Sequence, residues 1–455
     1  GRDSLTVLPT GGGKSICFQL PSLCSDDGLA VVISPLISLM KDQVDGLVSN
    51  GIAAGSLNST QSSQQQATVV SDAEQGKLRL LYVSPERLVQ ETTVAFLKRV
   101  GVRYFAIDEA HCISSWGHDF RPEYRQLRTL NQTYPGCSVH AFTATATPRV
   151  RGDIIEQLQL EGPEVFVGSF HRPNLTYRVV RRGDVLEQMR QIIDRYPGQS
   201  GIIYCISRKE VESVASVLSD LGLSAHPYHA GMSAADRERN QDDFIHERVD
   251  IIVATVAFGM GIDKSCVRYV IHNGMPKSLE AYQQESGRAG RDGLPSECCL
   301  LYSGSDLMMW KRMGDGDPGS KLLLEAMNGY CTRTVCRHRM LVEYFGQQFE
   351  THDCQACDIC LSERELVKEP LVLAQKVLSC VYRVEQRFGV SHVAAVLRGS
   401  TSKRVRELGH DKLSTFGLLA DFSKSAVTDW VEQLVSQDCL ARTGEYNVLK
   451  ITALG

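Results

Sequence analysis

The sequence predicts an α/β protein of two successive parallel sheets, then a short cysteine-bearing helical stretch and a mostly helical C-terminal block. Three observations carry this. Apolar, strand-like segments alternate with helical or polar stretches, and the alternation runs through twice, as in parallel sheets covered on both faces. Segment 314–320 reads Gly-Asp-Gly-Asp-Pro-Gly-Ser, a breaker cluster that marks a boundary. Beyond it, amphipathic helix dominates up to one terminal hairpin.

Length and composition agree. A chain of 455 residues suggests about three domains. Hydrophobic residues at 43% and charged residues at 22% are ordinary for a globular protein, which excludes a mainly disordered or collagen-like chain. No run of 18 or more apolar residues occurs, so no membrane-spanning helix is expected. The chain opens Gly1-Arg2-Asp3, without Met or a signal-peptide pattern, and runs straight into a strand; residues are expected to precede it. The net charge of −4 argues weakly against nucleic acid, but 371–455 holds eleven Lys/Arg against eight Asp/Glu.

Taken in order, the first set of strands is Ser4–Leu8, Leu29–Ser34, Leu78–Val83, Arg103–Asp108 and Ser138–Thr143. The second is Gly201–Tyr204, Ser224–Tyr228, Ile251–Thr255, Tyr269–Asn273 and Glu297–Tyr302, with a seam near Gly168–Tyr177. The polar run Ser59–Thr68 reads as the start of a helix. Cys439–Arg442 and Val448–Thr452 form the hairpin, turning at Gly444.

The first chemical signal is Leu8-Pro9-Thr10-Gly11-Gly12-Gly13-Lys14-Ser15, between a strand and a helical run Ile16–Leu23. Glycines let successive N–H groups cradle phosphate oxygens, and the helix N-terminus adds partial positive charge. Lys14 suits the β/γ-phosphates and Ser15 a Mg²⁺ ion. Leu8 stands where the general phosphate-loop pattern has Gly; the Thr-Gly-x-Gly-Lys-Ser form is a helicase-type variant. The rival reading is a glycine-rich turn with an exposed lysine.

Asp108-Glu109-Ala110-His111 ends an apolar strand, where α/β sheets place ligands. Asp108 suits Mg²⁺ held through water, and Glu109 an attacking water. Alone, such a pair is as often a solvated strand end; beside the Lys14 loop it reads as functional. In the second unit, Gln283 through Gly293 carries Arg288 and Arg291, three apart and expected on one helix face. A guanidinium fork there suits a γ-phosphate gaining charge, so the site is expected to be composite, one unit holding ATP and the other supplying an arginine.

Of 15 cysteines, an odd number, eleven are scattered and four cluster as Cys336-x17-Cys354-x2-Cys357-x2-Cys360. A secreted disulfide framework does not look like this; a reducing compartment with one closed tetrahedral zinc site does. Cys331 is left out of the ligand set.

Together these segments resemble superfamily 2 helicases, and more closely the RecQ family of DNA helicases, over essentially the whole chain. Ser34-Pro35-Leu36 through Asp42-Gln43 resembles motif Ia and Ser84-Pro85-Glu86-Arg87 motif Ib. Thr143-Ala144-Thr145 stands where motif III belongs. Tyr204 through Arg208 resembles motif IV, and Ala254-Thr255 through Gly259-Met260-Gly261-Ile262-Asp263 motif V. Trp116-Gly117-His118-Asp119-Phe120-Arg121-Pro122 resembles the family's aromatic-rich loop, which senses single-stranded DNA. Bases stack on aromatic faces with little sequence preference, so Trp116 and Phe120 are stacking candidates and Arg121 a phosphate partner. The rival reading packs both rings between the two units. Residues 371–455 resemble the winged-helix domain through Arg387–Val390, Arg398–Ser400 and Gly409–Lys412. Lys403, Arg404 and Arg406 suit duplex phosphates, and Tyr446 the tip of a wing.

The resemblance implies two RecA-like parallel-sheet domains at 1–168 and 169–316, a helical zinc-binding subdomain at 317–366 and a winged-helix domain at 367–455. It implies an ATP-dependent 3′-to-5′ DNA helicase of repair, recombination or replication, using ATP, Mg²⁺ and Zn²⁺. The expected partners are single-stranded and forked duplex DNA and proteins such as single-strand-binding protein, in a bacterial cytoplasm at the nucleoid. Thr10, Gly11, Gly12, Gly13, Lys14, Ser15, Asp108, Gly261 and Asp263 are expected around the nucleotide. His111, Thr143, Thr145 and Gln284 are expected to link hydrolysis to DNA. Arg288 and Arg291 are expected to neutralise charge, with Arg291 as the finger. Ser34, Pro35, Ser84, Arg87, Arg208 and Thr255 are expected on the DNA backbone. The adenine-reading Gln motif of the family would precede Gly1, an HRDC domain would lie beyond Gly455, and Gly274 replaces a residue that is often polar or acidic. Two rivals stand beside this reading: an RNA-dependent ATPase of the same superfamily, and a non-enzymatic zinc and winged-helix regulator.

Overall fold

The computed structural model describes residues 1–24, 28–117, 119–259, 264–314, 318–363, 367–444 and 447–455. Short apolar strands set the frame. In the first unit they are β1 (Ser4–Val7), β2 (Leu29–Ile33), β3 (Ala54–Leu57), β4 (Leu80–Val83), β5 (Val102–Ile107), β6 (Ser138–Thr143) and β7 (Glu164–Val167). They form one parallel sheet in the order β3-β4-β2-β5-β6-β1-β7. Every residue of β2 is buried, because helices cover both faces. The second unit has β8 (Leu175–Arg181), β9 (Gly201–Cys205), β10 (Ala225–Tyr228), β11 (Ile251–Ala254), β12 (Tyr269–Asn273) and β13 (Ser296–Tyr302). Its order is β10-β11-β9-β12-β13-β8, again parallel. Each sheet has a separate core on either face. A C-terminal core of helices and the antiparallel hairpin β14 (Leu440–Thr443) and β15 (Val448–Ile451) completes the chain.

Three strands went unread in the sequence: β3, β7 and β8. β3 is only Ala-Gly-Ser-Leu, β7 is mostly exposed at a sheet edge, and β8 breaks its apolar pattern with Arg178 and Arg181. The helix after the phosphate loop starts at Lys14, two residues earlier than expected. The expected placement of Arg288 and Arg291 on one helix face is corrected: the helix Leu279–Ser286 ends before them, and both lie in the following turns. The polar run does open a helix, Ser63–Glu74, whose N-cap Ser62 forms a reciprocal capping box with Gln65.

The helix Arg337–Tyr344 belongs to neither unit alone. Val342 and Phe345 join the first unit's core, while Leu341 joins the second's. Phe345 stacks on Phe170 at 4.2 Å, and Arg151 donates to the Phe345 carbonyl at 2.6 Å. Among the described residues, no helix is long and apolar enough to cross a membrane.

Candidate functional site

Parallel sheets gather chemistry at the C-terminal ends of their strands. The phosphate loop leaves β1, Ser34 leaves β2, Ser84 leaves β4, Asp108 leaves β5, and β6 ends at Thr143. The backbone ladder continues past the strand ends: Asp108 donates to the Ile33 carbonyl at 2.8 Å and Leu8 to the Thr143 carbonyl at 3.1 Å. These five segments therefore share one rim.

Gly11 and Gly13 have φ of +80° and +79°, a left-handed geometry that favours glycine, and Gly13 caps the helix Lys14–Leu23. Thr10 through Ser15 are half-buried or exposed, an open cradle at a helix N-terminus that suits phosphate. The Lys14 ammonium bends back to the Leu8 carbonyl at 3.4 Å. Facing it, Asp108 and Glu109 are buried. Burial pushes the Asp108 carboxyl up to about 7, Glu109 adds to this, and Lys14 pulls it down. A bound cation would relieve that cost, so the pair fits a Mg²⁺–nucleotide complex. Glu109 sits in left-handed backbone at φ 48°, uncommon for a residue with a side chain. Its carboxylate is 3.3 Å from His111 Nδ1, which lies 2.9 Å from Thr143 Oγ1. Thr145 in turn donates its N–H to Thr143 Oγ1 at 3.2 Å. Thus Glu109, His111, Thr143 and Thr145 form one buried network.

The second unit closes over this rim. The Arg291 side chain lies against Gly11, its Cγ 3.0 Å from where a Cβ on Gly11 would stand. Arg288 is 4% exposed and turns instead into its own unit, against Tyr204 and Gly259. The two arginines expected to act together are thus split, and Arg291 alone reaches the loop. Gln284 is half-buried on the helix Leu279–Ser286. Gly274 has φ +130°, and a Cβ there would fall 2.4 Å from Ile206, which explains a glycine at that position. The expected site residues Gly261 and Asp263, with their neighbours Met260 and Ile262, lie outside the described residues.

The aromatic loop runs beside the rim. Trp116 and Phe120 are 41% and 38% exposed, so neither is packed away between the units. Arg149 caps the Trp116 ring and Arg125 the Phe120 ring. Neither arginine was singled out in the sequence; each lies in a helical segment just after a motif, outside the residues that define it. Arg121 bridges Asp119 (3.2 Å) and the Pro35 carbonyl (3.0 Å), tying this loop to Ser34-Pro35. His118 lies outside the described residues. Arg87 is held by the neutral amides of Gln90 and Gln66, at 2.9 and 3.0 Å. On the second unit, Arg208 follows β9 behind a Ser207–Glu210 capping box, and Thr255 follows β11.

Cys336, Cys354, Cys357 and Cys360 place four sulfurs within 4.8 Å of one another, while Cys331 is outside the group. Hydrogen bonding among the crowded thiols drives Cys357 far down, with Cys336 the largest influence, and Cys354 far up. Four cysteine sulfurs converging this closely fit a closed tetrahedral zinc site. Arg337, fully buried, pairs with both Asp358 oxygens at 2.8 and 3.0 Å. Tyr177 and Asp358 then bond the zinc loop along β8, covering a sheet edge. His111, Cys112 and Asp119 form a second close set of ligand-type atoms, but Arg121 already holds that carboxylate.

Lys403, Arg404 and Arg406 are all exposed, on a helix anchored by buried Val405. Lys403 pairs with Glu407 at 3.6 Å, and Arg404 lies over Phe388. Tyr446 lies outside the described residues. A groove of about 2340 Å³ separates the second unit from this C-terminal domain, and Arg178, Arg181, Lys376 and Arg387 line it.

Comparison with known proteins agrees with this layout. The chain matches the models of the DEAD/DEAH box helicase (1–154), the helicase conserved C-terminal domain (184–293), the RecQ zinc-binding domain (305–361) and the RQC domain (367–455). It is 45% identical to the ATP-dependent DNA helicase RecQ of Pasteurella multocida, covering 96% of this chain and 69% of that one. The proteins of that name from Haemophilus influenzae and Bacillus subtilis are 46% and 40% identical, covering 96% and 100% of this chain and 71% and 78% of theirs. In fold the chain resembles the Mycobacterium smegmatis helicase Lhr, solved with single-stranded DNA and AMP-PNP. The TM-score is 0.56 at 16% identity, covering 100% of this chain and 57% of that one.

Proposed function

This chain belongs to the RecQ family of DNA helicases and is an ATP-dependent DNA helicase with a zinc-binding region; we propose that it translocates 3′ to 5′ on single-stranded DNA and separates the duplex ahead. The observation that carries the ATP-driven movement is the composite cleft, in which Arg291 of the second unit lies on the phosphate loop of the first; the polarity rests on the family resemblance.

In this reading Thr10 to Ser15 enclose the phosphates, Lys14 neutralises the β/γ-phosphates, and Ser15 and Asp108 hold Mg²⁺. Bound Mg²⁺ supplies charge neutralisation at the phosphates. Glu109 orients the attacking water and accepts its proton. Arg291 neutralises charge gathering on the γ-phosphoryl oxygens, which a planar guanidinium does well. Arg288 braces the second unit from within, against Tyr204 and Gly259. The His111–Thr143–Thr145 network lies between Glu109 and the aromatic loop, so a change at Glu109 is felt at Trp116. Gln284 completes the nucleotide cleft from the second unit. Ser34, Pro35, Ser84 and Arg87 grip the strand from one side, and Arg208 and Thr255 from the other. Because the two grips sit on different units, opening and closing the cleft moves one relative to the other and steps the strand.

Trp116 and Phe120 stack bases, and Arg121 meets a phosphate once Asp119 yields it. Lys403, Arg404 and Arg406, with the basic groove, hold duplex phosphates, and the terminal hairpin sits at the fork as a wing. The division into 1–168, 169–316, 317–366 and 367–455 follows these roles. A protein with these tasks works in repair, recombination or replication, in a bacterial cytoplasm at the nucleoid, beside single-strand-binding protein.

The test is unwinding of a duplex with a 3′ single-stranded tail beside a 5′-tailed control, with ATP and Mg²⁺. Unwinding from the 3′ tail alone is expected. Equal unwinding from both tails, or ATP hydrolysis without strand separation, rejects the proposed polarity or the coupling.

A further inference from the structure

Seven residues, 168–174, lead from β7 of the first unit to β8 of the second. A connection this short has few ways to pass the cleft, and here it runs along the nucleotide loops. Arg172, in this connection, donates from Nη1 to the Thr10 carbonyl at 3.2 Å. Its Nη2 donates to the carbonyls of Ala289 and Gly290, at 3.1 and 2.9 Å. Its Nε reaches Asn174 Oδ1 at 3.4 Å. One guanidinium thus joins the residue before Gly11 to the turn that carries Arg288 and Arg291.

Asn174 works from the same side. Its amide donates to the Gly290 and Leu294 carbonyls, at 2.9 and 3.0 Å, and so closes the base of the 287–294 turn. The Arg291 side chain leaves this turn to lie on Gly11.

The contacts of Arg172 differ from those of the arginines that are paired with carboxylates. Arg178, Arg268 and Arg337 each face a carboxylate, on Glu363, Asp292 and Asp358. The hydrogen-bond partners of Arg172 are three backbone carbonyls and one amide oxygen. Its donors are used for geometry, and its charge is left available to the adjoining phosphate pocket. A lysine in its place would keep the charge but lose the planar fork that reaches both loops at once.

We propose that Arg172 is a positioning residue for ATP hydrolysis: it sets the distance between the phosphate loop and the Arg291 turn as the cleft closes. This rests on the reading of the cleft as the ATP site. Removing it leaves Lys14, Asp108 and Glu109 in place but lets Arg291 drift, and misplacement of a reacting group by about 1 Å can cost about 100-fold in rate.

The experiment compares the full chain with Arg172→Ala and Arg172→Lys in DNA-stimulated ATP hydrolysis and in binding of ADP and of ADP–aluminium fluoride. Arg172→Ala is expected to lower kcat by about 100-fold while KM for ATP moves by less than about threefold, the pattern of an interaction lost in the transition state. ADP affinity should hold and that for ADP–aluminium fluoride should fall. Arg172→Lys should recover part of kcat, and millimolar guanidinium should partly restore Arg172→Ala. Parent-like kcat in Arg172→Ala overturns the proposal. So does a loss of kcat matched by equal losses in ADP affinity and in melting temperature, with no rescue by guanidinium or by lysine. A parent that turns over no ATP sinks the reading of the cleft and this proposal with it; an active parent beside an unaffected Arg172→Ala sinks this proposal alone.

Discussion

The guanidinium carbon of Arg149 stands 3.2 Å from the centre of the Trp116 ring. Arg149 lies in the first turn of the helix Pro148–Gln157, directly after Thr143-Ala144-Thr145, and Trp116 follows the His111 turn. The cation therefore joins the aromatic loop to the buried Glu109–His111–Thr143 network by a second route. An incoming base must share the ring with Arg149 or displace it, and a cation–π contact at an exposed site is worth only about 0.5–1 kcal/mol. Stacking of a base contributes about 1–3 kcal/mol, so displacement is affordable in energy.

Trp116→Ala should accordingly weaken binding of single-stranded DNA by about 1–3 kcal/mol, roughly five- to 150-fold, and blunt the stimulation of ATPase by DNA. Trp116→Phe should keep most of both. Fluorescence anisotropy with a labelled oligonucleotide reads the first effect and a coupled ATPase assay the second. Unchanged affinity in the alanine variant would remove Trp116 from the DNA path.

At the cleft, Lys14→Ala and Arg291→Ala should fail differently. In the proposed mechanism Lys14 meets phosphate in the ground state and the transition state alike, so its loss should weaken nucleotide binding as well as turnover. Arg291 acts on charge that develops only during transfer, and loss of a supplied arginine of this kind costs about 10³- to 10⁵-fold in kcat. Titration with a fluorescent ATP analogue separates the two. A Lys14→Ala variant that hydrolyses ATP at the parent rate would reject the phosphate assignment.

The zinc loop should behave as a structural brace. Its four sulfurs and the Arg337–Asp358 pair both bear on β8 of the second sheet. Cys357→Ser should cut bound zinc, measured by atomic absorption, and lower the melting temperature, because structural zinc contributes folding energy. Asp358→Ala leaves Arg337 buried without its partner, at a cost of about 3–5 kcal/mol. Denaturant titration checks this; a loss under 1 kcal/mol would show that the carbonyls of Tyr330 and Arg333 suffice for Arg337.

Local patterns were legible in the sequence and distant ones were not. Thr10 to Ser15 and Asp108-Glu109 are contiguous segments flanked by their own strands, so context and chemistry can be read together. Cys354, Cys357 and Cys360 are likewise close in sequence. The separation of Arg288 from Arg291 was not readable, because the turn between them is set by Asn174, 116 residues before Gly290. Arg172 was invisible for the same reason: its partners are backbone carbonyls, which carry no residue signature. Helix Arg337–Tyr344 reads as part of a zinc module, yet Tyr344 donates to Glu280 of the second unit at 2.7 Å while Val342 enters the core of the first. Short edge strands such as β3 offer too few apolar residues to show a period.

Far from the nucleotide, the two units also meet through Lys41 and Asp42 of the helix Ile37–Ser49 and Glu238 and Gln241 of the helix Ala234–Ile245, at 2.7 Å and 3.4 Å. Burial at this contact raises the Asp42 carboxyl to about 6. Lys41 opposes the rise, Asp45 and Asp242 add to it, and the Gln241 hydrogen bond opposes it; Tyr228 also faces the group. Opening the cleft would expose Asp42 and return it toward its ordinary value near 3.8. Closure therefore takes up a proton between these values. Its contribution is fully present below about 4 and is lost as pH rises through about 6. A donor–acceptor dye pair on the two units should report a larger closed fraction at pH 5.5 than at pH 8, by an amount that Asp42→Asn removes. Lys41→Glu should open the contact at either pH, and Lys41→Glu with Glu238→Lys should restore it. A pH response that survives Asp42→Asn would assign the proton to another group.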